Sequence, residues 1–171
     1  MNIGKVRSSI KMIRSYDFKS DNIFKTVVAV LFYIVVAFFG AFLTDTDSEW
    51  YRGLNLPNIQ PKPYVFGYVW TFIYLLLIVI TALLIWNGDL SQKLRNQVVI
   101  NGVLNAVWTY AFFNQQNPVG AFVILFSLII LNYNIYIEIT SSNKILGYLY
   151  IIYLAWLVFA IFLNYAILFI N

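Results

Sequence analysis

The sequence predicts an all-α membrane protein, a bundle of five transmembrane helices. Of its 171 residues, 61% are apolar and only 11% are charged, whereas a soluble domain has about 45–50% apolar and about 25% charged residues. Five apolar stretches each approach the roughly 20 residues that cross about 30 Å of hydrocarbon. The strict alternation of a membrane β-barrel is missing. The spans are therefore predicted to be helical.

The five stretches cover residues 26–43, 64–86, 97–113, 118–139 and 145–170. The third is the shortest and the most polar. A long polar loop, residues 44–63, follows the first stretch, and residues 87–96 follow the second. The last two connections, residues 114–117 and 140–144, are so short that the helices they join are expected to be antiparallel neighbours.

The basic residues are distributed unevenly between the two ends of this bundle. Six of the eleven lie in residues 1–25, two lie in residues 87–96, and one is Lys144. These nine lie on the same side of the membrane in the predicted topology. Only Arg52 and Lys62 lie on the other. By the positive-inside rule, the N-terminus is inside and the C-terminus outside. We expect a bacterial cell membrane, with the long loop outside.

Residues 1–25 form a basic extension ahead of the five-helix domain, residues 26–171. Apolar side chains recur in the extension at helical spacing, with basic residues between them; they are Ile3, Val6, Ile10 and Ile13. Two interpretations stay open. The extension is an amphipathic helix on an anionic leaflet, or it is a basic tail that only sets the topology.

The sequence contains neither cysteine nor histidine. This excludes disulfides, thiolate chemistry and any mechanism that needs a histidine base. Glu138 is the one ionisable residue in a predicted span, near its inner end, where a solvated helix terminus explains it. Ion pumps, voltage sensors and proton-coupled carriers rely on such residues inside the membrane. We therefore predict no catalytic residue, no metal ligand and no resident cofactor.

Three tryptophans lie inside predicted helices rather than at the membrane interfaces where tryptophan usually gathers. They are Trp70, Trp108 and Trp156, and the amides Asn105 and Asn164 lie at similar depths. Buried amides in hydrocarbon need partners. One explanation is that the amides bond between helices and the tryptophans fill the core. The other is a cavity in the outer half, walled by aromatic rings, which suits a large, flat, apolar ligand.

The long loop favours the second explanation. Residues 50–57 are too apolar for an idle loop, and prolines at positions 57, 61 and 63 restrict the backbone. We expect a stiff aromatic lid, residues 44–63, over the mouth of the cavity. There Arg52 or Lys62 would meet an acidic group on a ligand.

Three motifs carry a resemblance to a known family. The first reads Trp50-Tyr51, Leu54, Pro57 and Pro61, followed by Val69-Trp70 and Ile73-Tyr74. The second reads Leu104-Asn105, Trp108 and Phe112-Phe113, and the third Tyr153-Leu154, Trp156, Phe159-Ala160 and Leu163-Asn164. In this order they resemble the TspO/translocator proteins, also called tryptophan-rich sensory proteins or peripheral benzodiazepine receptors. The resemblance covers residues from about 50 to 171.

The chain departs from the pattern of that family at several positions. Ile59 replaces the tryptophan before the proline pair, and Lys62 replaces the second proline. Asn101 stands in place of a glutamine, and Ile152 in place of the proline before Tyr153. The basic residue that completes the sterol motif of the animal proteins is missing after Asn164, which speaks against sterol recognition.

The resemblance implies a membrane receptor or transporter that binds porphyrins and synthetic isoquinoline or benzodiazepine ligands in the outer-half cavity. The ligand-binding positions that it implies are Tyr51, Pro61, Trp70, Tyr74, Asn105, Trp108, Phe112, Trp156, Ala160 and Leu163. Porphyrin would be a ligand rather than a cofactor, and no nucleic acid is expected as a partner. The alternatives are a protein that degrades porphyrin in light through Trp70 and Trp156, or a structural or regulatory bundle.

The resemblance also implies a homodimer, and the third predicted helix offers a contact surface. Gly102 and Ala106 form a small-x-x-x-small pair, which lets helix backbones approach closely in lipid. We therefore predict self-association through Gly102 and Ala106.

Overall fold

The computed structural model describes the backbone of residues 3–171 and the side chains of residues 19–171. Six α-helices follow in chain order, α1 Ile3–Leu43, α2 Glu49–Gly53, α3 Pro63–Asn87, α4 Gln92–Thr109, α5 Pro118–Ser142 and α6 Lys144–Ile170, with a π-helical turn, Tyr110–Asn114, directly after α4. The predicted all-α class is confirmed, since 85% of the residues are helical and the described part has no strand.

Local signals explain why α3, α5 and α6 begin within one residue of the predicted starts. Pro63 and Pro118 occupy the first turns of α3 and α5, where the missing N–H of proline costs nothing. Asn143 caps α6, because its Oδ1 accepts from the backbone N–H of Ile145 at 3.1 Å and of Leu146 at 3.2 Å.

Helix α1 begins far before the predicted first span. A single continuous helix contains both the basic extension and that span. The part of α1 that is apolar enough to cross a membrane is Lys19–Leu43. The side chains of Ile3, Val6, Ile10 and Ile13 lie outside the described residues. Both interpretations of the extension therefore stay open.

Helix α4 begins five residues before the predicted third span. Ser91 caps it, accepting from the Leu94 N–H at 3.0 Å, and its first turns carry Lys93 and Arg95. The Ser91 hydroxyl also donates to Glu138 at 2.5 Å, and Lys93 pairs with Glu138 at 2.9 Å. Glu138 thus anchors the end of α5 to the start of α4 and is not simply a solvated helix terminus.

Within the described part of the chain, four helices, α1, α3, α5 and α6, are long and apolar enough to cross a bilayer. Helix α4 does not meet that standard because of its basic first turns and its amides. Many large apolar side chains point away from the core, among them Phe42, Phe126 and Phe169, which are 73%, 55% and 81% exposed. An apolar surface of this extent is typical of contact with lipid.

The five long helices pack in a ring, in the order α1, α3, α6, α5, α4 and back to α1. The tightest pair is α5 with α6. A Cβ atom on Gly147 would lie 2.1 Å from Thr140 Oγ1 and 3.0 Å from Thr140 Cα. Only glycine permits this approach of the two helices.

A buried polar network joins α4, α5 and α6 at the middle of the ring. Asn132 Nδ2 donates to Asn101 Oδ1 at 2.8 Å, and the Tyr150 hydroxyl donates to Asn132 Oδ1. Asn105 Nδ2 donates to the Tyr153 hydroxyl at 2.8 Å, and that hydroxyl donates to Asn101 Oδ1 at 2.9 Å. The amides of α4 therefore bond to neighbouring helices. This agrees with the first explanation given in the sequence analysis, in which the amides bond between helices.

Candidate ligand-binding site

A cavity opens at the end of the bundle that carries the loop between α1 and α3, and we call it the loop-side cavity. Its larger chamber, of about 480 Å³, lies between α1, α3 and α4. Trp70 and Tyr74 of α3 face Asn105 and Trp108 of α4 across it, and Tyr33 closes the α1 side. The structure therefore also agrees with the second explanation given in the sequence analysis, a cavity walled by aromatic rings with a few amides.

A smaller chamber of about 90 Å³ adjoins it beneath the loop, and Trp70 and Trp108 line both chambers. The smaller chamber adds four further residues of the predicted site, which are Tyr51, Phe112, Ala160 and Leu163. Eight of the ten predicted positions therefore line the loop-side cavity.

Trp156 and Pro61 are the two predicted positions outside the lining. Trp156 lies behind Trp70, with the ring centroids 6.3 Å apart and the rings at 90°. It also packs against Phe66 at 5.7 Å. Trp156 therefore supports the wall of the cavity, whereas Pro61 belongs to the loop above it.

Sequence reasoning missed several lining residues, namely Pro63, Phe66, Gly67 and Gln60. Phe66 was predictable from the sequence, because this residue lies one turn before Trp70 on the same face of α3. Gly67 was not, since a glycine gives no sign of which way its missing side chain would point.

Three buried polar atoms on the smaller chamber have no hydrogen-bond partner in the described structure. They are the indole nitrogen of Trp108 and the side-chain oxygens of Gln60 and Asn164. The other amide atom of Asn164 is satisfied, donating to the Pro118 carbonyl at 3.0 Å. A buried polar group without a partner costs about 1–3 kcal/mol. A ligand that offers both acceptors and donors would recover that cost here.

The π-helical turn brings aromatic rings up against the loop. The Gln115 N–H bonds the Tyr110 carbonyl at 2.9 Å, five residues back, and such turns are frequent at functional sites. Phe112 then packs edge to face on Trp50, and Phe113 packs on Tyr51, each at 5.5 Å between centroids. These contacts hold the loop over the smaller chamber.

The loop is itself ordered by a short helix that the sequence did not predict, α2. Ser48 caps it, accepting from the Tyr51 N–H at 3.3 Å. Asn55 and Asn171 exchange hydrogen bonds at 2.8 and 3.0 Å, which fastens the loop to the end of α6. Burial raises the pKa of Tyr51, and the hydrogen bond from Gln60 offsets part of the rise. Tyr51 therefore stays a neutral phenol at physiological pH.

Gly102, predicted together with Ala106 at a dimer contact, lies on α4 against α1 of the same subunit. Gly102 is buried, and a Cβ atom there would lie 2.4 Å from Phe32 Cζ and 3.0 Å from Val36 Cγ2. The glycine therefore makes room for α1 within the subunit. Self-association itself stays a prediction.

Comparison with known proteins identifies the family. The TspO/MBR family pattern matches residues 29–170. The chain is 30% identical to the tryptophan-rich protein TspO of Archaeoglobus fulgidus over 152 residues, covering 88% of this chain and 99% of that protein. It is 28% identical to the protein of the same name from Chlorobaculum tepidum, covering 81% and 90% of the two chains. An uncharacterized membrane protein of Bacillus subtilis, YtaB, is 28% identical, covering 84% and 96%.

The match spans the helices that build the loop-side cavity and the loop above it. It agrees with the apolar helices and with the exposed apolar surface, which together make this a multi-pass membrane protein. The chain belongs to the TspO/MBR family.

Proposed function

We propose that this protein is a membrane receptor or transporter that binds porphyrins and related flat apolar ligands in the loop-side cavity. The observation that carries the proposal is the unpartnered indole N–H of Trp108, a residue that lines both chambers of this aromatic cavity. Ligand cavities span about 300–1,000 Å³ and combine apolar walls with a few polar groups. The larger chamber, at about 480 Å³, lies within that range.

The walls suit a planar ring system. Trp70 and Tyr74 are stacked, with centroids 5.5 Å apart and the rings at 27°, and Trp108 stacks on Phe112 at 6.0 Å and 27°. A ring between these surfaces gains aromatic contact beyond the apolar area that it buries. Arg52 and Lys62 in the loop supply cations for the carboxylates at the edge of a porphyrin.

We further propose that α4 crosses the membrane as a fifth span. Together with the π-helical turn, it covers residues 92–114, which at 1.5 Å per residue extends about 34 Å. Its amides Asn101 and Asn105 point into the bundle, where they are bonded. Its exposed face carries Ile100, Val103 and Val107. The average polarity of α4 therefore understates how apolar its outer face is.

The proposed orientation has the N-terminus inside and the C-terminus outside, because nine of the eleven basic residues then lie inside. The loop-side cavity opens in the outer half in that orientation. We also propose that the protein forms homodimers, and the exposed face of α4 offers the contact, since Gly102 is occupied by α1. The mass of the protein in detergent tests this.

A second candidate function is light-dependent breakdown of bound porphyrin. Trp70 contacts Trp156 and Tyr153, each at 6.3 Å between centroids, so easily oxidised rings lie behind the cavity wall. An excited porphyrin would take an electron from these rings. No residue is proposed as a catalytic acid, base or nucleophile.

A fluorescence-quenching titration in detergent tests the proposed function. Protoporphyrin IX and other tetrapyrroles should quench the tryptophan fluorescence saturably, and an excess of a sterol of similar size should not reverse the quenching. Absence of saturable quenching by any tetrapyrrole would leave a structural or regulatory bundle as the better description.

A further inference from the structure

A second cavity, of about 540 Å³, lies at the opposite end of the bundle, and we call it the basic-end cavity. It opens between α1 and α4 and reaches the connection between α3 and α4. Tyr33 lines both this cavity and the loop-side cavity, and its hydroxyl bonds Thr81 at 3.0 Å. The two cavities therefore share a floor but open towards opposite ends of the molecule.

The walls of the basic-end cavity are apolar on two sides. Helix α1 contributes Phe24, Val28 and Phe32, and the other side is formed by Ile85, Leu90 and Val98. Phe24 and Val28 are also exposed on the outside of α1, within the segment that is apolar enough to cross a membrane. The cavity is therefore accessible sideways from the hydrocarbon.

A buried amide faces this cavity without a partner. Asn22 is only 3% exposed, and its Nδ2 has no hydrogen-bond acceptor in the described structure. An amide nitrogen is a donor only. The group that completes the site must therefore present an acceptor oxygen to Asn22.

Two cations stand at the rim, Lys25 and Arg95. Lys25 pairs with Asp21 at 2.5 Å, with the two side chains 47% and 54% exposed. Arg95 bonds the neutral amide oxygen of Gln92. Exposed pairs of this kind contribute little, so both cations remain available to an anion that arrives from outside.

The height of these groups fits a lipid headgroup. Asn22 and Lys25 lie three and six residues after Lys19, where the apolar segment begins. At 1.5 Å per residue this is about 5–9 Å along the helix, the depth of the boundary between headgroups and acyl chains. Anionic lipids attract basic residues at this level.

We propose that the basic-end cavity binds one acidic phospholipid. Its phosphate oxygens accept from Asn22 Nδ2 and pair with Lys25 and Arg95, while an acyl chain lies on Phe24, Val28 and Phe32. Asp21 competes with the phosphate for Lys25. The lipid touches only residues of the basic-end cavity, and none of these contacts requires a ligand in the loop-side cavity.

Native mass spectrometry of the full-length protein with palmitoyl-oleoyl phosphatidylglycerol or phosphatidylcholine tests this proposal. We expect one phosphatidylglycerol to be retained at concentrations where phosphatidylcholine is lost. Asn22→Leu should lower retention about tenfold, the change expected for one charge-assisted hydrogen bond. The double variant Lys25→Gln/Arg95→Gln should lower it by at least as much, because it removes two cations. Asp21→Asn should raise retention, because it frees Lys25.

Lys144→Gln is the matched control, since it removes one cation at the same end of the bundle but outside the cavity. It should retain the lipid like the unchanged protein. Melting temperatures in phosphatidylcholine show which variants are folded, and Lys25→Gln/Arg95→Gln alters only exposed side chains. Equal retention of the two lipids would overturn the proposal, as would equal losses in Lys144→Gln and the double variant. Displacement of the lipid by millimolar inorganic phosphate would also overturn it, in favour of a soluble anion.

Discussion

The indole rings of Trp70 and Trp156 meet edge to face, at 90° and with their centroids 6.3 Å apart. Trp70 lines both chambers of the loop-side cavity, whereas Trp156 lines neither and lies behind it. A ligand in the cavity would therefore touch Trp70 and sense Trp156 only through it. The two tryptophans have different expected roles, although the sequence resemblance treats them alike.

Trp70→Phe should weaken porphyrin binding by up to about tenfold, because it removes part of the aromatic contact, worth about 0.5–1.5 kcal/mol. Trp156→Phe should weaken binding less. Quenching of the remaining tryptophan fluorescence by porphyrin gives the two affinities. If porphyrin breakdown in light is the function, both variants should keep binding but lose the decay of the Soret band under illumination. If both variants bind porphyrin as tightly as the unchanged protein but melt at a lower temperature, the two rings only fill the core.

Trp108→Phe separates hydrogen bonding from stacking in the cavity. The Trp108 N–H is buried and has no partner, so the change removes no hydrogen bond within the protein. Any fall in the melting temperature should reflect only the packing that the smaller ring loses. The dissociation constant for porphyrin should rise about two- to tenfold, corresponding to one hydrogen bond of about 0.5–1.5 kcal/mol. Trp86→Phe, at an exposed position at the end of α3, is the control. Unchanged affinity in Trp108→Phe would show that the ligand leaves this N–H unused.

The helix limits were predictable where capping residues or prolines mark them, as at Pro63, Pro118 and Asn143. The short helix α2 was not, because five residues carry no periodicity. Helical spacing placed Asn105 and Trp108 on one face, and that face does line the cavity. Spacing does not say which helix stands opposite, so the position of Trp156 behind Trp70 could not be predicted.

Asn132 is a second residue whose position the sequence could not predict. Asn132 and Asn134 lie two residues apart on α5, so they point in different directions, and the sequence alone does not say which one is inside. Asn132 is 0% exposed and bonded to α4 and α6, whereas Asn134 is exposed and bonds the Ile130 carbonyl of its own helix. The sequence therefore predicted only part of the polar core of the bundle.

Asn132→Leu should destabilise the protein, because it leaves the buried Tyr150 hydroxyl without its acceptor and removes one of the donors to Asn101 Oδ1. The expected cost is about 1–3 kcal/mol, which lowers the melting temperature in detergent by roughly 2–12 °C. Asn134→Leu, on the exposed face of the same helix, should leave it unchanged. Equal melting temperatures for the two variants would mean that the network contributes nothing to stability.

A reporter fused after Asn171 should be accessible from outside the cell, and one fused before Met1 should be accessible only from inside. The expectation rests on the nine-to-two division of the basic residues. Accessibility to a membrane-impermeant reagent in intact and permeabilised cells measures both. The reverse result would turn the loop-side cavity towards the cytoplasm.

The central claim, that the loop-side cavity is the binding site, is tested most directly by filling it. Gly67 lines the larger chamber, and a Cβ atom there would have no atom within 4 Å. In Gly67→Phe the first side-chain carbon therefore meets no atom, and the ring is expected to fill part of the larger chamber. The change also replaces a poor helix former, so stability should not fall. Val79→Phe adds a ring on the exposed face of the same helix as a control.

The decisive measurement is the dissociation constant for protoporphyrin IX of the unchanged protein and these two variants, in the same detergent and with melting temperatures recorded alongside. We expect saturable binding by the unchanged protein and by Val79→Phe, and a loss of at least about tenfold in Gly67→Phe, which is about 1.4 kcal/mol. A folded Gly67→Phe protein that binds porphyrin as tightly as the unchanged protein would contradict the account.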